Sequence, residues 1–140
     1  MSRWETRSVL ESEAKPAAIW EKAYSDAAAW PQWNAELKSA ELDGPLALGA
    51  AARIVFRAGL RLRFHVVECE PGRVFTDEAR LPGARMGHRH QVEPTEAGGS
   101  RLTNTIYIEG PMASLWRRVL GPRAERSLPG AQRAIVELAV

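Results

Sequence analysis

One cysteine, three lysines and no long apolar run set the first limits on this 140-residue chain. A lone thiol, Cys69, cannot close an internal disulfide, which fits a reducing compartment. No stretch approaches the roughly 20 apolar residues that cross a bilayer as a helix. The opening Met1-Ser2-Arg3-Trp4-Glu5 lacks the basic, apolar and small-residue segments of a signal peptide. A cytoplasmic location is expected. Gly98-Gly99 falls between two expected strands, not between a strand and a helix, so no phosphate-cradling loop or dinucleotide site is predicted. Neither Ser114 nor Ser127 has a GxSxG-type turn around it. Cys69 sits between Glu68 and Glu70 on the outward register of its strand, where the acids would raise its pKa. Neither a nucleophilic triad nor a cofactor is expected.

What is present describes a globule. Hydrophobic residues make up 45% and charged residues 26% of the chain, the balance of an ordinary folded domain, and the length suffices for one core, so residues 1–140 read as a single domain. The net charge is only +2. Near the C-terminus, Trp116, Leu120, Ala124, Leu128, Ala131, Ile135 and Leu138 recur at the spacing of one helical face. Pro122 and Pro129, each beside a glycine, interrupt that stripe and predict a helix that is bent or broken into segments.

Upstream, Arg3 to Ser12 alternates as a first strand. Pro16 opens a helix whose apolar face is Ile19, Trp20 and Ala23; Ser25-Asp26 ends it and caps a second short helix. Pro31 is expected to push Trp30 out of helical geometry, leaving a bend or a single turn at Trp30–Asn34. Six strands follow: Leu37–Leu42, Ala52–Arg57, Leu60–Val67, Arg73–Leu81, Ala84–Glu93 and Arg101–Glu109. They are separated by Asp43-Gly44-Pro45, Ala58-Gly59, Pro71-Gly72, Pro82-Gly83 and Glu96-Ala97-Gly98-Gly99. Hairpin-length links make the run antiparallel. The fold class is α+β: a curved sheet of about seven strands, two short helices, and a long terminal helix laid in the concave face.

Several stretches resemble the START-like, or helix-grip (Bet v 1-like), superfamily, in particular its polyketide cyclase/dehydrase (SRPBCC) branch. They are Lys15-Pro16-Ala17-Ala18-Ile19-Trp20, Ser25-Asp26, Trp30-Pro31-Gln32-Trp33-Asn34, Leu42 through Gly49, Val92-Glu93-Pro94, Arg101-Leu102-Thr103 and Glu109-Gly110-Pro111. Asn34 is followed by Ala35 where relatives often carry proline. The resemblance implies a bacterial protein that binds an apolar small molecule (polyketide, lipid or aromatic compound) between sheet and terminal helix. Some such proteins cyclise or dehydrate the molecule; the alternative is a non-catalytic lipid or quinone carrier or a partner-binding chaperone module that docks through its basic face.

Strand alternation turns Ile54, Phe56, Leu60, Leu62, Phe64, Val66, Phe75, Leu81, Met86, Val92, Ile106 and Ile108 inward, with His88, His90, Asn104 and Asp77 among them. Apolar walls with a few inward polar groups are how small-molecule sites are built. The expected ligand-lining set is Trp33, Ile54, Phe56, Leu62, Phe64, Phe75, Met86, His88, His90, Asn104, Ile106, Trp116 and Leu120. His88 and His90 share a strand face at a spacing that could chelate a metal. No third ligand is evident, because Asp77 and Glu78 point opposite ways, and no metal is expected. The two histidines are candidate proton-transfer groups, and Asn104 a candidate hydrogen-bond donor to an enolate oxygen; the alternative is that the histidines are bonded to the cavity lining. Trp20, Trp30 and Trp33 are expected to pack the core, Trp33 nearest the cavity mouth. Arg53, Arg57, Arg61, Arg63, Arg85, Arg89 and Arg101 collect on the outer sheet face. Without interleaved aromatics they read as a solvated surface, and nucleic acid is not an expected partner. The protein is expected to be a monomer or a homodimer.

Overall fold

The computed structural model describes residues 2–140, and Met1 lies outside them. Seven strands form one antiparallel sheet in the order β1-β7-β6-β5-β4-β3-β2. They are β1 Ser2–Ser12, β2 Leu37–Leu42, β3 Ala51–Phe56, β4 Arg61–Glu70, β5 Val74–Leu81, β6 Ala84–Pro94 and β7 Ser100–Gly110. The five turn signals expected between the six later strands all fall in links between strands. β1 and β7 pair along their whole lengths, from Ser2 opposite Gly110 to Ser12 opposite Ser100. The long helix α3, Ala113–Ala139, packs against β1, β7 and β6. Gly110 (φ +130°) turns the chain from β7 toward it, and a side chain there would strike the Gly83 carbonyl and Ala84.

Between β1 and β2 the chain makes α1, Pro16–Ile19, a π-helical turn Trp20–Tyr24, a 3₁₀ turn Ala27–Ala29, and α2, Trp30–Trp33. The Asp26 carboxylate caps this second part, accepting from the Ala28 N–H at 3.0 Å. The wide turn leaves carbonyls at the end of the first part, and two indoles cover them: Trp30 Nε1 donates to Tyr24 O at 2.9 Å and Trp33 Nε1 to Ala23 O at 3.0 Å. Tryptophan thereby buries its ring without stranding its N–H. Trp30 itself is helical (φ −54°, ψ −41°), contrary to the expected displacement by Pro31. Proline here occupies the first turn, where no intrahelical N–H bond is lost.

The terminal helix is also continuous, not broken. Pro122 and Pro129 both lie on its exposed side, as do Arg118 and Glu125, four residues earlier, whose carbonyls lose their partners. Gly121 has a separate cause. It is buried against the Trp4 ring, and a Cβ there would lie 3.4 Å from that ring. Along α3 the packing is uneven. Leu128, Gln132, Ile135 and Ala139 are buried, whereas Trp116 and Leu120 are only partly covered. The main core joins Ile135 and Ala139 to Ile19, Tyr24, Trp30, Trp33, Phe75 and Leu102. A smaller cluster of Ala84, Ile108 and Ala113 supports the helix start.

One strand register differs from simple alternation. Pairing shifts between Val66 and Glu68 in β4, so Val66 faces Asp77 while Cys69 faces Phe75. An extra residue exchanges the two faces beyond it, and Cys69 turns inward onto the core. Burial, not its acidic neighbours, raises its pKa. The outer face carries ion pairs: Arg53–Glu41 at 2.8 Å, Arg85–Glu109 at 2.5 Å, Arg89–Glu68 at 2.9 Å and Arg101–Glu11 at 2.7 Å. Tyr107 lies across Gly87 on this face, donates to the Glu78 carboxylate, and holds the Arg3 guanidinium 4.3 Å from its ring centre. A Cβ on Gly87 would penetrate the Tyr107 ring. Gly87→Ala is therefore expected to destabilise the fold by about 1–3 kcal/mol in chemical denaturation; an unchanged midpoint would mean that Tyr107 swings away at no cost.

Candidate functional site

Between the sheet and the less covered half of α3 lies a cavity of about 400 Å³. Its apolar walls come from α2 and β2 (Trp30, Trp33, Leu37), from β3 and β4 (Ile54, Phe56, Leu62, Phe64), from β6 and β7 (Met86, Ile106) and from α3 (Trp116, Leu120, Ala124). It reaches the surface at Ala58 and Leu60 of the β3–β4 link, Pro82 of the β5–β6 link, and Arg123, all of them exposed. Trp116 Nε1 donates to Pro82 O at 2.8 Å and ties the helix to that link.

Asp77, His88 and His90 bring polarity to this lining. The antiparallel register places them: Asp77 pairs with His88, His88 with Ile106, Phe75 with His90, and His90 with Asn104. Three rings stack, Phe75 on His90 with centres 4.2 Å apart and His90 on His88 at 3.7 Å. A buried chain of hydrogen bonds then runs from α3 to the cavity floor. The two hydrogens of Gln132 Nε2 serve Ser8 O at 2.7 Å and Asn104 Oδ1 at 3.0 Å, with Leu102 O at 3.3 Å sharing one of them, while its Oε1 accepts from Ser8 Oγ at 2.8 Å. Asn104 Nδ2 approaches His90 Nδ1 at 3.2 Å and His88 Nε2 at 3.4 Å, and His90 Nε2 meets Asp77 Oδ1 at 3.3 Å.

Two main-chain carbonyls orient the whole chain. Carbonyl oxygens only accept, so Gln132 must turn its NH₂ toward Ser8 O and Leu102 O. Asn104 must then turn its oxygen toward Gln132 and its NH₂ toward the imidazoles, and both of those ring nitrogens are acceptors. His90 consequently carries its proton on Nε2 and donates it to Asp77. His88 carries its proton on Nδ1, which has no bonding partner among the described residues.

Burial also sets the charge. It pushes Asp77 up to about 6, partly opposed by His88. Desolvation holds His88 well below its ordinary value, with His90 adding to the effect, and lowers His90 to about 3. At neutral pH the floor is thus a carboxylate beside two neutral imidazoles. Burial raises the pKa of the Tyr24 hydroxyl behind them, partly opposed by the nearby Asn104 side chain, and that hydroxyl makes no well-formed hydrogen bond among the described residues.

Eleven of the thirteen residues expected to line a ligand do face the cavity. Phe75 and Asn104 do not; at 0% and 1% exposure they lie behind the lining, one as a stacking surface and the other as a hydrogen-bond junction. His90 and Asn104 have their polar atoms committed to protein partners, which leaves His88 and Asp77 to face a guest. Trp30, given only a packing role, also contributes to the wall, as do Asn34, Glu36, Ser127 and Arg123. Gln132 went unnoticed because it interrupts an apolar stripe. A polar residue four after Leu128 and three before Ile135, both fully buried, was the available signal.

Residues 3–136 match the model of a family described as polyketide cyclase / dehydrase and lipid transport. No curated protein matches the sequence. Solved structures share the helix-grip architecture. A START superfamily protein from Mycobacterium smegmatis has a TM-score of 0.73 at 18% identity, covering 97% of this chain and 99% of its own. The di-domain ARO/CYC StfQ from the steffimycin biosynthetic pathway has a TM-score of 0.78 at 15% identity, covering 98% of this chain and 50% of its own. A truncated norcoclaurine synthase from Thalictrum flavum has a TM-score of 0.71 at 14% identity, covering 99% and 94%. At such identities the likeness is one of fold.

The orientation argument is open to direct measurement: long-range ¹H–¹⁵N correlation spectra should find His88 as the Nδ1–H tautomer and His90 as the Nε2–H tautomer. The reverse assignment would break the chain at Asn104. The same cluster shapes stability against pH. Between about pH 5 and 6 the unfolded chain carries two protons on these histidines and none on Asp77, and the folded chain carries one, on Asp77. Stability contributed by the cluster therefore falls on acidification by about 1.4 kcal/mol per pH unit. Asp77→Asn removes the compensating proton, so this slope should double to about 2.7 kcal/mol per pH unit. Parallel stability profiles for the two proteins would contradict the assignment.

Proposed function

The chain belongs to the polyketide cyclase/dehydrase and lipid transport family, and from that premise we propose that it binds an apolar, carbonyl-bearing small molecule in its cavity and catalyses proton transfer on it. The carrying observation is the polar floor of the cavity, where the Asp77 carboxylate and the His88 imidazole stand side by side on paired strand positions. One group can take a proton and the other can donate a hydrogen bond. Asp77, poised near neutrality by burial, removes a proton from the carbon next to a carbonyl. The electron pair moves onto the carbonyl oxygen, which accepts from His88 Nδ1–H. The enolate carbon then bonds to a second carbonyl of the same molecule, and Asp77 returns its proton to the new alkoxide. Asp77 then takes a neighbouring carbon-bound proton and passes it to that hydroxyl, which leaves as water as the double bond forms, so that Asp77 ends as the carboxylate. No outside oxidant or reductant is required.

A carrier that does no chemistry is the second reading. It is favoured by the bonding of His90 and Asn104 within the protein, which leaves little polar capacity for a guest. Native mass spectrometry of the protein as purified, searching for a retained apolar molecule, tests binding. Ala124→Trp, which fills the cavity from α3, should abolish retention. With a soluble poly-β-carbonyl compound as probe, Asp77→Asn and His88→Ala should each lower kcat by at least about 100-fold, with affinity changed only a few fold. Undiminished turnover in both variants would rule out the catalytic assignment, and retention without any turnover by the unaltered protein would leave the carrier.

A further inference from the structure

We propose that the N-terminal half of α3 docks this protein on an anionic lipid bilayer, with the mouth of the cavity against the lipid. This goes beyond the cavity's chemistry and holds whether the guest is transformed or only carried.

The first ground is the position of exposed apolar surface. Met112, Leu115 and Val119 are 41%, 49% and 60% exposed, and Leu60, across the mouth, is 56% exposed. Scattered apolar side chains on a surface need no explanation, but these are not scattered. Met112, Leu115 and Val119 follow helical spacing, and Pro122 extends the row. Trp116 and Leu120, the next residue after Leu115 and Val119 respectively, line the cavity, and so does Leu60. The apolar lining therefore continues through the mouth onto the outer side of the helix. Contiguous apolar surface of this kind marks an interaction site.

Charge is the second ground. On the outer sheet face Arg53, Arg85, Arg89 and Arg101 each have a glutamate within 3 Å, whereas Arg57, Arg61 and Arg63 meet no acid among the described residues. The first half of the helix is poorer still in acids. Arg117, Arg118, Arg123 and Arg126 stand against Glu125 alone, and among the described residues only Arg123 meets an acid, Glu36 at 3.6 Å. Arg126 prolongs the row of Leu115, Val119 and Pro122, and Arg118 flanks it. Unpaired arginines bordering an exposed apolar row are the chemistry of a helix that lies at an anionic membrane interface. A bilayer suits this site better than an acidic protein, because lipid hydrocarbon against the mouth would let an apolar guest pass without crossing water.

Flotation with phosphatidylcholine vesicles, with and without phosphatidylserine, tests the proposal. Binding is expected only with phosphatidylserine and should weaken as salt rises. Arg118→Gln with Arg126→Gln should reduce the partition coefficient about 25-fold. Leu115→Asp with Val119→Asp should abolish binding, far-ultraviolet dichroism confirming the fold; if that variant fails to fold, the arginine pair decides alone. Three results would overturn the idea: no binding to phosphatidylserine vesicles, binding indifferent to the arginine pair, or a solution dimer dissolved by Leu115→Asp with Val119→Asp, which would assign the patch to a second copy of this chain.

Discussion

The donation of one carboxamide, that of Gln132, to the main-chain carbonyls of Ser8 and Leu102 is the contact through which helix packing reaches the cavity floor. A buried amide costs roughly 1–3 kcal/mol for each group left unpaired, and here both ends are satisfied. The contact joins α3 to β1 and β7 at once. It also passes a direction inward, because each group along the line must present a donor to an acceptor. A helix-packing contact and the proton positions at the cavity floor are therefore one arrangement, and a buried network of this kind is stiff only when every member is paired. Tyr24, whose hydroxyl lies beside Asn104 without a well-formed hydrogen bond among the described residues, stands at the edge of the scheme.

The cavity follows from where large side chains run out. Trp30, Tyr24, Phe75 and Ile135 fill one end of the space between sheet and helix, and interiors packed to crystal-like density leave no room for a guest. Toward the start of α3 the facing residues are Ile54, Leu62, Met86 and Ile106, which line a space instead of filling it. Carboxylate and imidazole lie where the two regimes meet. They are dry enough for burial to suppress their charge, yet they face the open volume.

Most of the architecture could be read from the chain, because hairpin links and period-two strands leave strong local marks. Gly83 and Gly98 sit in turns with positive φ, and the alternation of β6 alone placed Met86, His88 and His90 on one face. Where that reading failed, the cause was non-local or rested on exposure. The two-for-one pairing at Val66 and Glu68 is decided by the partner strand, so nothing near Cys69 announced its inward turn. Trp30 stays helical because Pro31 stands in a first turn, and that depends on where the turn begins. Pro122 and Pro129 are tolerated because the helix shows them to water. Gln132 is the instructive case: its meaning depends on Asn104, 28 residues away in the chain, and no periodicity carries such information.

The uneven covering of α3 has a consequence for how sequences of this kind can drift. Positions 128, 132, 135 and 139 are bound to the sheet or the core, so substitutions there are filtered by folding. Positions 120, 124 and 127 border the cavity, where a change of side-chain size acts chiefly on the chamber. Adaptation to a new guest can accumulate along the first half of one helix while the second half holds the scaffold constant. One architecture can thus serve many occupants even as identity between its members falls very low.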